Sequence, residues 1–516
     1  MLWNELVKLA LLGTDRSSLS PEMKAELTTY GIDTEKEITE VVLESIALMG
    51  PLQKAGFQPM KWEGEYLEKC PEETLVNCSA KSANHLGLIL HGRYSYALAE
   101  FVEAMAINGK CLPFEQLPEL LDKCVKDEYL WQSLETVIGH RGQWAIQLNP
   151  AWHKLMVTVS EENWQTGTIV ERKAILKKLR RENPTKGLQF LLSTWAEDGL
   201  SEKQGLLKCL SIGLSDMDEV FLEECLDFPR KEIRTIAALL LSELPHSQLQ
   251  QRIFERLQDA ISIGKEEGVK KPIVSLPDTS DKALIRDGIN PKKKWKLGGQ
   301  TTGMLYQMVA IIPPEKWEKK FNERPEALLN IFSRSEWGSM FLEAFAAAAT
   351  LHQSVDWMEA LLRFWLTNYT QVKWSQLDFS VLLDALPDEV FNEVLYEKLS
   401  AVKFLPDEQS LLIQLLQKDN CQWDNRLTKL VMEQLKGWIA KNATYSWTGL
   451  TYRKMLKRAA YNINPQMEKQ LSHFWLGDTM NYGGWEKDLQ LFLNILSFRK
   501  DMLSELEKQQ PTNLKK

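Results

Sequence analysis

The residues best suited to binding a charged partner form a basic stretch, LIRDGINPKKKWKLGGQTTG, at residues 284–303. Its glycines and hydroxyls precede a helix expected to start near Thr302, where free backbone N–H groups can hold an anion. No strand pattern precedes the stretch and no Gly-Lys-Ser/Thr ending closes it, so a nucleotide site is the least favoured interpretation. A linker is favoured first, and a partner-binding loop anchored by Arg286, Asp287 and Trp295 second.

A second set of basic residues recurs at helical spacing in the middle third of the chain. Its members are Lys173, Lys177, Arg180, Arg230 and Arg234. Because the first helices of stacked helical pairs lie side by side, these cations could form one ridge for phosphates or for an acidic protein. A solvated helix face is the simpler interpretation, and among binding roles a protein contact is favoured over nucleic acid.

A third candidate is the segment IGHRGQW, where two glycines flank a histidine and an arginine. One helix is expected to end near Ile138 and the next to begin near Gln143, so the turn between them would expose His140 and Arg141. A glycine cap with a terminal basic residue explains the same residues without a function, and we favour that structural interpretation.

The sequence contains no common catalytic or cofactor motif. Walker A, GxGxxG, HExxH, GxSxG and paired CxxC patterns are all missing. Four candidate ligands, Cys70, Cys78, His85 and His91, have a spacing that fits no zinc knuckle, so we expect no metal and no cofactor. There are eighteen tryptophans, several of them next to carboxylates, which leaves an α/α-toroid carbohydrate-active hydrolase as one rival hypothesis.

Composition and cysteine usage favour a cytoplasmic protein. The 516 residues carry a net charge of −8, which argues against a generally basic nucleic-acid binder. Seven scattered cysteines, an odd number, are best explained as reduced thiols. The first residues, MLWNELVKLALLGTDR, are expected to form an amphipathic helix instead of an export signal. The most apolar segment, MFLEAFAAAATLH, is too short to span a bilayer and contains Glu343, so we expect no membrane contact.

Helical periodicity predicts an all-α protein with the architecture of a HEAT-like helical-repeat superhelix. Ser20 before Pro21 is a typical helix start. Six helices in three pairs are expected over residues 169–262, with first helices beginning near Ile169, Ser201 and Arg230. The predicted regions are an N-terminal helical region at 1–160, the repeats at 161–263, a long basic Pro/Gly loop at 264–303 and a C-terminal helical region at 304–516. Whether the last region continues the repeats or forms its own bundle stays open.

Several motifs together resemble a bacterial helical-repeat family of unknown function. They are LVKLALLGTDR, VIGHRGQWAIQLNPAW, DFPRKEIRTIAALLLSELP, RDGINP through QMVAIIPPEKW, and LSFRKDMLSEL. Members of that family tend to be encoded near a MoxR-type AAA ATPase, a von Willebrand A-domain protein and a SWIM zinc-finger protein. The resemblance implies an adapter beside an ATPase machine and transfers no catalytic residue.

The sequence therefore predicts a non-enzymatic scaffold or adapter whose partner is a protein, such as an AAA ATPase or a von Willebrand A-domain protein. A nucleic-acid-binding helical repeat is the first alternative, and the hydrolase is the second.

Overall fold

A computed structural model describes residues 2–14, 17–55, 68–275, 281–296, 298–369, 377–403, 405–408, 410–442, 449–477 and 482–508. The chain separates into two compact units, residues 1–69 and residues 70–516. Each unit has its own cluster of buried apolar side chains. The core of the second unit runs without interruption through the boundaries predicted near residues 160 and 303, so the regions predicted on either side of them share one core.

The first unit consists of three helices: α1 (Leu2–Leu12), α2 (Pro21–Thr29) and α3 (Ile38–Ala55). The predicted start at Ser20 is confirmed, since its hydroxyl accepts a hydrogen bond from the backbone N–H of Met23 at 3.2 Å. Leu6 of α1 and Val41 of α3 are fully buried where these two helices pack together.

The second unit is built mainly from α-helices, which confirms the predicted all-α class. Its helices up to residue 260 are α4 (Ala80–Leu90), α5 (Leu98–Ile107), α6 (Leu117–Cys124), α7 (Glu128–Leu134), α8 (Gly139–Leu148), α9 (Glu161–Thr166), α10 (Ile169–Glu182), α11 (Pro184–Thr194), α12 (Leu200–Leu207), α13 (Glu219–Leu226), α14 (Lys231–Glu243) and α15 (Gln248–Ala260). The later helices are α16 (Lys282–Arg286), α17 (Gln300–Val309), α18 (Glu315–Phe321), α19 (Pro325–Phe332), α20 (Gly338–Leu351), α21 (Val355–Asn368), α22 (Ser380–Ala385), α23 (Asp388–Ser400), α24 (Leu411–Leu415), α25 (Asn425–Asn442), α26 (Leu450–Asn462), α27 (Glu468–Leu476) and α28 (Glu486–Glu507).

The three predicted helical pairs are present as α10–α11, α12–α13 and α14–α15. Helix α10 begins at Ile169 as predicted, and α12 and α14 begin at Leu200 and Lys231, each one residue from the prediction. The start of α10 is set by a capping box, in which Thr168 and Glu171 accept each other's backbone N–H groups. Helix α10 packs on α12, and α12 packs on α14, so the first helices lie side by side.

The last helix of the second unit packs against its first helices. Helix α28 contacts α4, α5 and α26. Tyr94 stacks on Phe498 with ring centroids 3.9 Å apart. Arg499 of α28 forms an ion pair with Glu100 of α5 at 2.7 Å. The succession of helices in this unit therefore returns to its own beginning, which the periodicity of the sequence did not indicate.

Four described strands accompany the helices of the second unit. Strands β1 (Val76–Asn77) and β2 (Lys110–Cys111) form a short parallel pair. Strands β3 (Ile261–Glu266) and β4 (Val269–Val274) form an antiparallel hairpin. Its two turn residues, Glu267 and Gly268, have φ of 50° and 79°, as tight hairpin turns require.

This hairpin corrects the prediction of a long irregular loop over residues 264–303. Together with α16, it gives the described part of the segment more regular structure than expected. The branched side chains of Ile261, Ile263, Ile273 and Val274 favour extended backbone on both sides of the turn. The lysines and the proline between them obscured this pattern in the sequence.

Candidate functional site

Arg286 and Asp287, two predicted partner-binding residues, are both engaged within their own chain. The Arg286 Nε and Nη2 atoms donate to the carboxylate of Asp227 at 2.7 and 2.9 Å. This hydrogen bonding lowers the pKa of Asp227 and raises the pKa of Arg286. Asp287 is buried and accepts a hydrogen bond from Arg252 Nη2 at 2.9 Å. These ion pairs fasten the end of α16 to residues of α15 and of the turn after α13.

Gly288 follows Asp287 in this stretch, and its surroundings require a glycine. Its φ is +84°, and a Cβ at this position would lie 2.3 Å from the Cβ of Ala238 in α14. Only glycine fits this backbone conformation and this close approach. The motifs DFPRKEIRTIAALLLSELP and RDGINP thus pack against each other. This contact gives Asp227, Ala238, Arg286 and Gly288 structural roles.

Trp295, the third predicted anchor of the stretch, is fastened to Glu343 of α20. The Trp295 indole Nε1 donates to Glu343 Oε2 at 2.9 Å, and the Lys296 ammonium forms an ion pair with the same carboxylate. The backbone N–H of Asp378 donates to Glu343 Oε1 at 3.0 Å. Glu343 is only 8% exposed, so these donors compensate a buried charge.

Glu343 and Asp378 also line a cavity of about 370 Å³. They are therefore candidates for the two carboxylates that the hydrolase hypothesis requires. A glycosidase of this type needs one carboxyl group with a raised pKa to act as general acid. Hydrogen bonds from the hydroxyl and backbone N–H of Ser380 instead lower the pKa of Asp378. Glu343 is held by the donors of Trp295 and Lys296. Asp378 therefore does not have the environment of a general acid.

Three consecutive lysines, Lys292, Lys293 and Lys294, are exposed between these two fastened points, and we call them the lysine triplet. The backbone beneath them lies directly on α17, where a Cβ at Gly303 would be 1.9 Å from the carbonyl oxygen of Lys293. Within the described parts of the chain, no carboxylate pairs with the side chains of the triplet. The structure therefore presents three uncompensated positive charges on a backbone that is held at both ends.

Arg180 does not lie on an exposed ridge as predicted. It is 1% exposed, and its guanidinium donates to both carboxylate oxygens of Asp218 at 2.9 and 2.7 Å. Further bonds reach the backbone oxygens of Ile212 and Gly213 at 2.8 and 2.7 Å. The buried ion pair satisfies carbonyl groups of the turn between α12 and α13, so Arg180 has a structural position that helical spacing alone did not distinguish from an exposed one.

The other predicted ridge residues also lie in different surroundings. Arg230 is exposed at the start of α14, while Arg234 donates to the carbonyl oxygen of Phe228 at 2.7 Å and steadies the preceding turn. Lys173 and Lys177 line a cavity on one side of α10. The five residues therefore do not share one continuous surface.

The cavity beside α10 has a volume of about 310 Å³, and we call it the basic cavity. Its charged lining residues are Lys126, Glu128, Glu135, Lys154, Lys173, Lys177, Lys178 and Arg181. Lys177 and Glu128 form an ion pair. Cys124 also lines the cavity, and burial, with a further contribution from Asp127, raises the pKa of its thiol to about 11. This thiol is therefore neutral near pH 7 and is not an activated nucleophile.

His140 and Arg141 lie in the first turn of α8, because this helix begins at Gly139 and not near Gln143 as predicted. The carboxylate of Glu73 accepts hydrogen bonds from both of their backbone N–H groups, at 3.1 and 3.3 Å. Burial alone would raise the pKa of Glu73, but these hydrogen bonds lower it below its ordinary value. The Arg141 guanidinium lies 3.5 Å from the ring centroid of Phe114. Both residues thus have partners within the chain.

Sequence reasoning missed the buried polar contact between Arg499 and Glu100. The Arg499 Nη1 atom also donates to the carbonyl oxygens of Ala460 and Ile463, each at 2.7 Å, at the end of α26. A signal was present, since Arg499 falls on the apolar stripe of α28 beside Leu496. A charged residue on a buried helix face is expected to have a partner, although sequence does not show which one.

The fold defines an all-α helical-repeat protein in which several of the candidate residues, such as Arg180, Arg286 and Asp287, make structural contacts within the chain. The chain belongs to the family described as "Family of unknown function (DUF5691)", which matches residues 5–506. The predicted resemblance to a family of unknown function is thereby confirmed. No curated protein and no solved structure matches the chain.

Two properties of the described residues bear on membrane and metal binding. None of their helices is both long and apolar enough to cross a membrane. No group of three or more histidine, cysteine, aspartate or glutamate side chains among them is arranged to hold a metal ion. All seven cysteines have free thiols.

Proposed function

We propose that this protein is a non-enzymatic cytoplasmic adapter that binds an acidic surface of a protein partner through the lysine triplet. The supporting observation is that the triplet is exposed while its backbone is fastened at Asp287 and Trp295. A binding segment that is already in place loses less conformational entropy on association than a free loop. Clustered positive charge also speeds the encounter with a negatively charged surface.

The proposed partner is a component of a MoxR-type AAA ATPase system, either the ATPase itself or its von Willebrand A-domain protein. The resemblance noted from the sequence motifs supports this choice, because members of that family tend to be encoded beside such proteins. The net charge of −8 makes a local basic surface the natural place for a specific electrostatic contact, since the rest of the chain repels acidic partners.

The test is affinity purification from the native host at moderate salt, followed by identification of the enriched proteins. Wild type is compared with a variant in which the lysine triplet is changed to glutamate. The matched control carries the same charge change at three other exposed lysines, Lys454, Lys457 and Lys469. We expect wild type and the control to enrich a MoxR-type ATPase or its von Willebrand A-domain protein, and the triplet variant to lose it.

The proposal is overturned if wild type enriches no such protein, or if the triplet variant enriches it equally well. A nucleic-acid role is the alternative, because exposed lysines also contact phosphates. Salt-sensitive binding of wild type to arbitrary duplex DNA, lost in the triplet variant, would replace the adapter function with that alternative.

A further inference from the structure

The basic cavity has three walls, which come from separate parts of the second unit. Helix α10 contributes residues spaced three and four apart, including Val170, Lys173 and Lys177. The stretch from Cys124 to Glu135 forms the second wall and residues 154–157 the third. The cavity is therefore built by tertiary packing, and it does not involve the lysine triplet.

The lining of the basic cavity carries far more positive than negative charge. Six lining residues are cationic and two are carboxylates, in a chain whose net charge is −8. Lys177 is compensated by Glu128. Among the described residues, no carboxylate partner is found for Lys126, Lys154 or Arg181. Concentrated like charges repel one another, so a bound anion would relieve an unfavourable interaction that folding has left in place.

The side chain of Lys173 lies close to a glycine on the neighbouring helix. A Cβ at Gly205 of α12 would lie 2.3 Å from Lys173 Cε and 2.7 Å from its Nζ. The absence of a side chain at this position gives the lysine its space between α10 and α12. A side chain at position 205 would therefore displace the Lys173 ammonium from its present place.

The remaining lining residues make an apolar surface next to the cations. They are Val125, Trp131, Leu155, Val157, Val170 and Ala174. Val170 is 66% exposed, so its side chain is accessible to a ligand. Small-molecule sites combine such apolar walls with a few polar groups that fix orientation, in volumes from about 300 Å³ upward. The cavity of about 310 Å³ thus suits a small molecule better than a folded partner.

We propose that the basic cavity binds a small phosphorylated organic molecule, with its phosphate on the cations of α10 and its aromatic or aliphatic body on Trp131 and the neighbouring apolar residues. A phosphate monoester carries nearly two negative charges at neutral pH and three acceptor oxygens. Several lysines can neutralise it as point charges, and an arginine can add a paired hydrogen bond. A carboxylate has half this charge and matches the excess less well.

The test is isothermal titration calorimetry of the full chain at low salt with two probes, phenyl phosphate and adenosine 5′-monophosphate. Inorganic phosphate and adenosine serve as the separate halves of the second probe. We expect at least one of the two probes to bind, and inorganic phosphate and adenosine to bind at least about tenfold more weakly, because each makes only part of the contact. Raising the salt from 0.1 to 1 M shortens the screening length from about 10 to 3 Å and should weaken phosphate binding.

Two double variants separate the cavity from the general charge of the surface. Lys173→Glu with Arg181→Glu reverses two cavity cations, while Lys208→Glu with Lys231→Glu makes the same change at exposed positions outside the cavity. The first should reduce probe affinity at least about tenfold and the second by less than about twofold. Trp131→Leu should weaken the aromatic probes and leave inorganic phosphate unchanged. Thermal unfolding of each variant checks that it is folded.

The proposal is overturned if neither probe binds, if inorganic phosphate binds as tightly as the probes, or if the two double variants weaken binding equally. Binding of polyglutamate in place of both probes would also overturn it, in favour of an acidic peptide. The two variants distinguish a failure of this site from a failure of the proposed adapter function. The triplet variant should retain probe binding, and the Lys173→Glu, Arg181→Glu variant should retain the partner in affinity purification.

Discussion

Replacing Arg499 with methionine tests whether one buried ion pair holds the last helix of the second unit against its first helices. Methionine keeps the length of the side chain but removes the charge and every donor. Glu100 then loses two hydrogen bonds of 2.7 Å, and the carbonyl oxygens of Ala460 and Ile463 lose one each. The substitution therefore affects acceptors in the interface of α28 with α5 and α26, which we call the seam.

The expected loss follows from the exposure of these groups. Removing one partner of a buried ion pair costs about 3–5 kcal/mol when the other charge stays buried. The Glu100 side chain is 24% exposed, so water can solvate part of its charge and the lower end of that range applies. Each abandoned carbonyl oxygen adds up to about 1 kcal/mol. We expect Arg499→Met to lower the free energy of opening this seam by about 4 kcal/mol.

Native-state hydrogen exchange of the amides in α5 and α28 measures that free energy locally. The control is Lys500→Met at the adjacent residue, which forms an ion pair with Glu468 at 3.1 Å. Its side chain is 24% exposed against 1% for Arg499, so water can replace the ion pair, and we expect a loss of less than about 1 kcal/mol. The double variant Glu100→Gln, Arg499→Met should lose less stability than the two single variants lose together. The reason is that it contains no unpaired buried charge, whereas Arg499→Met alone leaves the carboxylate of Glu100 unpaired. Equal protection in the Arg499→Met and Lys500→Met variants, or strict additivity, would refute the reasoning.

Three further changes test other contacts. Arg180→Met should destabilise the second unit by about 3–5 kcal/mol, measured by urea unfolding, because Asp218 keeps a buried charge. Gly288→Ala should cost more than about 1 kcal/mol in the same assay, since it adds a clash to an unfavourable φ. Burial lowers the pKa of His352 in the folded state, although its Nε2–H donates to the carbonyl oxygen of Ile311 at 2.8 Å. The unfolded chain therefore takes up this proton first, and stability should fall as pH drops through 6.5.

Each of these changes has a matched control. Arg181→Met alters the neighbouring exposed arginine and should leave stability nearly unchanged. Gly92→Ala has the same φ of +84° with nothing within 4 Å, so a loss equal to that of Gly288→Ala would exclude the clash with Ala238. His352→Gln should reduce the loss of melting temperature between pH 7.5 and 5.5, and an unchanged loss would show that this histidine does not contribute.

The helical elements could be predicted because their signals are local. Apolar spacing and capping residues placed the start of α10 at Ile169 and the start of α2 after Ser20. The hairpin at Ile261–Val274 was missed because lysines and a proline interrupt its branched residues. The start of α8 was missed because the acceptor that caps it, Glu73, comes from a distant part of the chain.

The candidate sites depended on information that is not local. Lys177 and Arg180 lie three residues apart on α10, in the same pattern of basic residues. Arg180 is nevertheless buried against Asp218, whereas Lys177 lines a cavity. Which side of a helix is covered depends on what packs there, and for Arg180 this is the turn between α12 and α13. The sequence by itself determined an all-α chain with charged residues at regular intervals, because periodicity and capping act within a few residues. Only the tertiary structure decided which charges are paired, which stretch is fastened at both ends and where the basic cavity lies, because those outcomes depend on contacts between residues far apart in the chain.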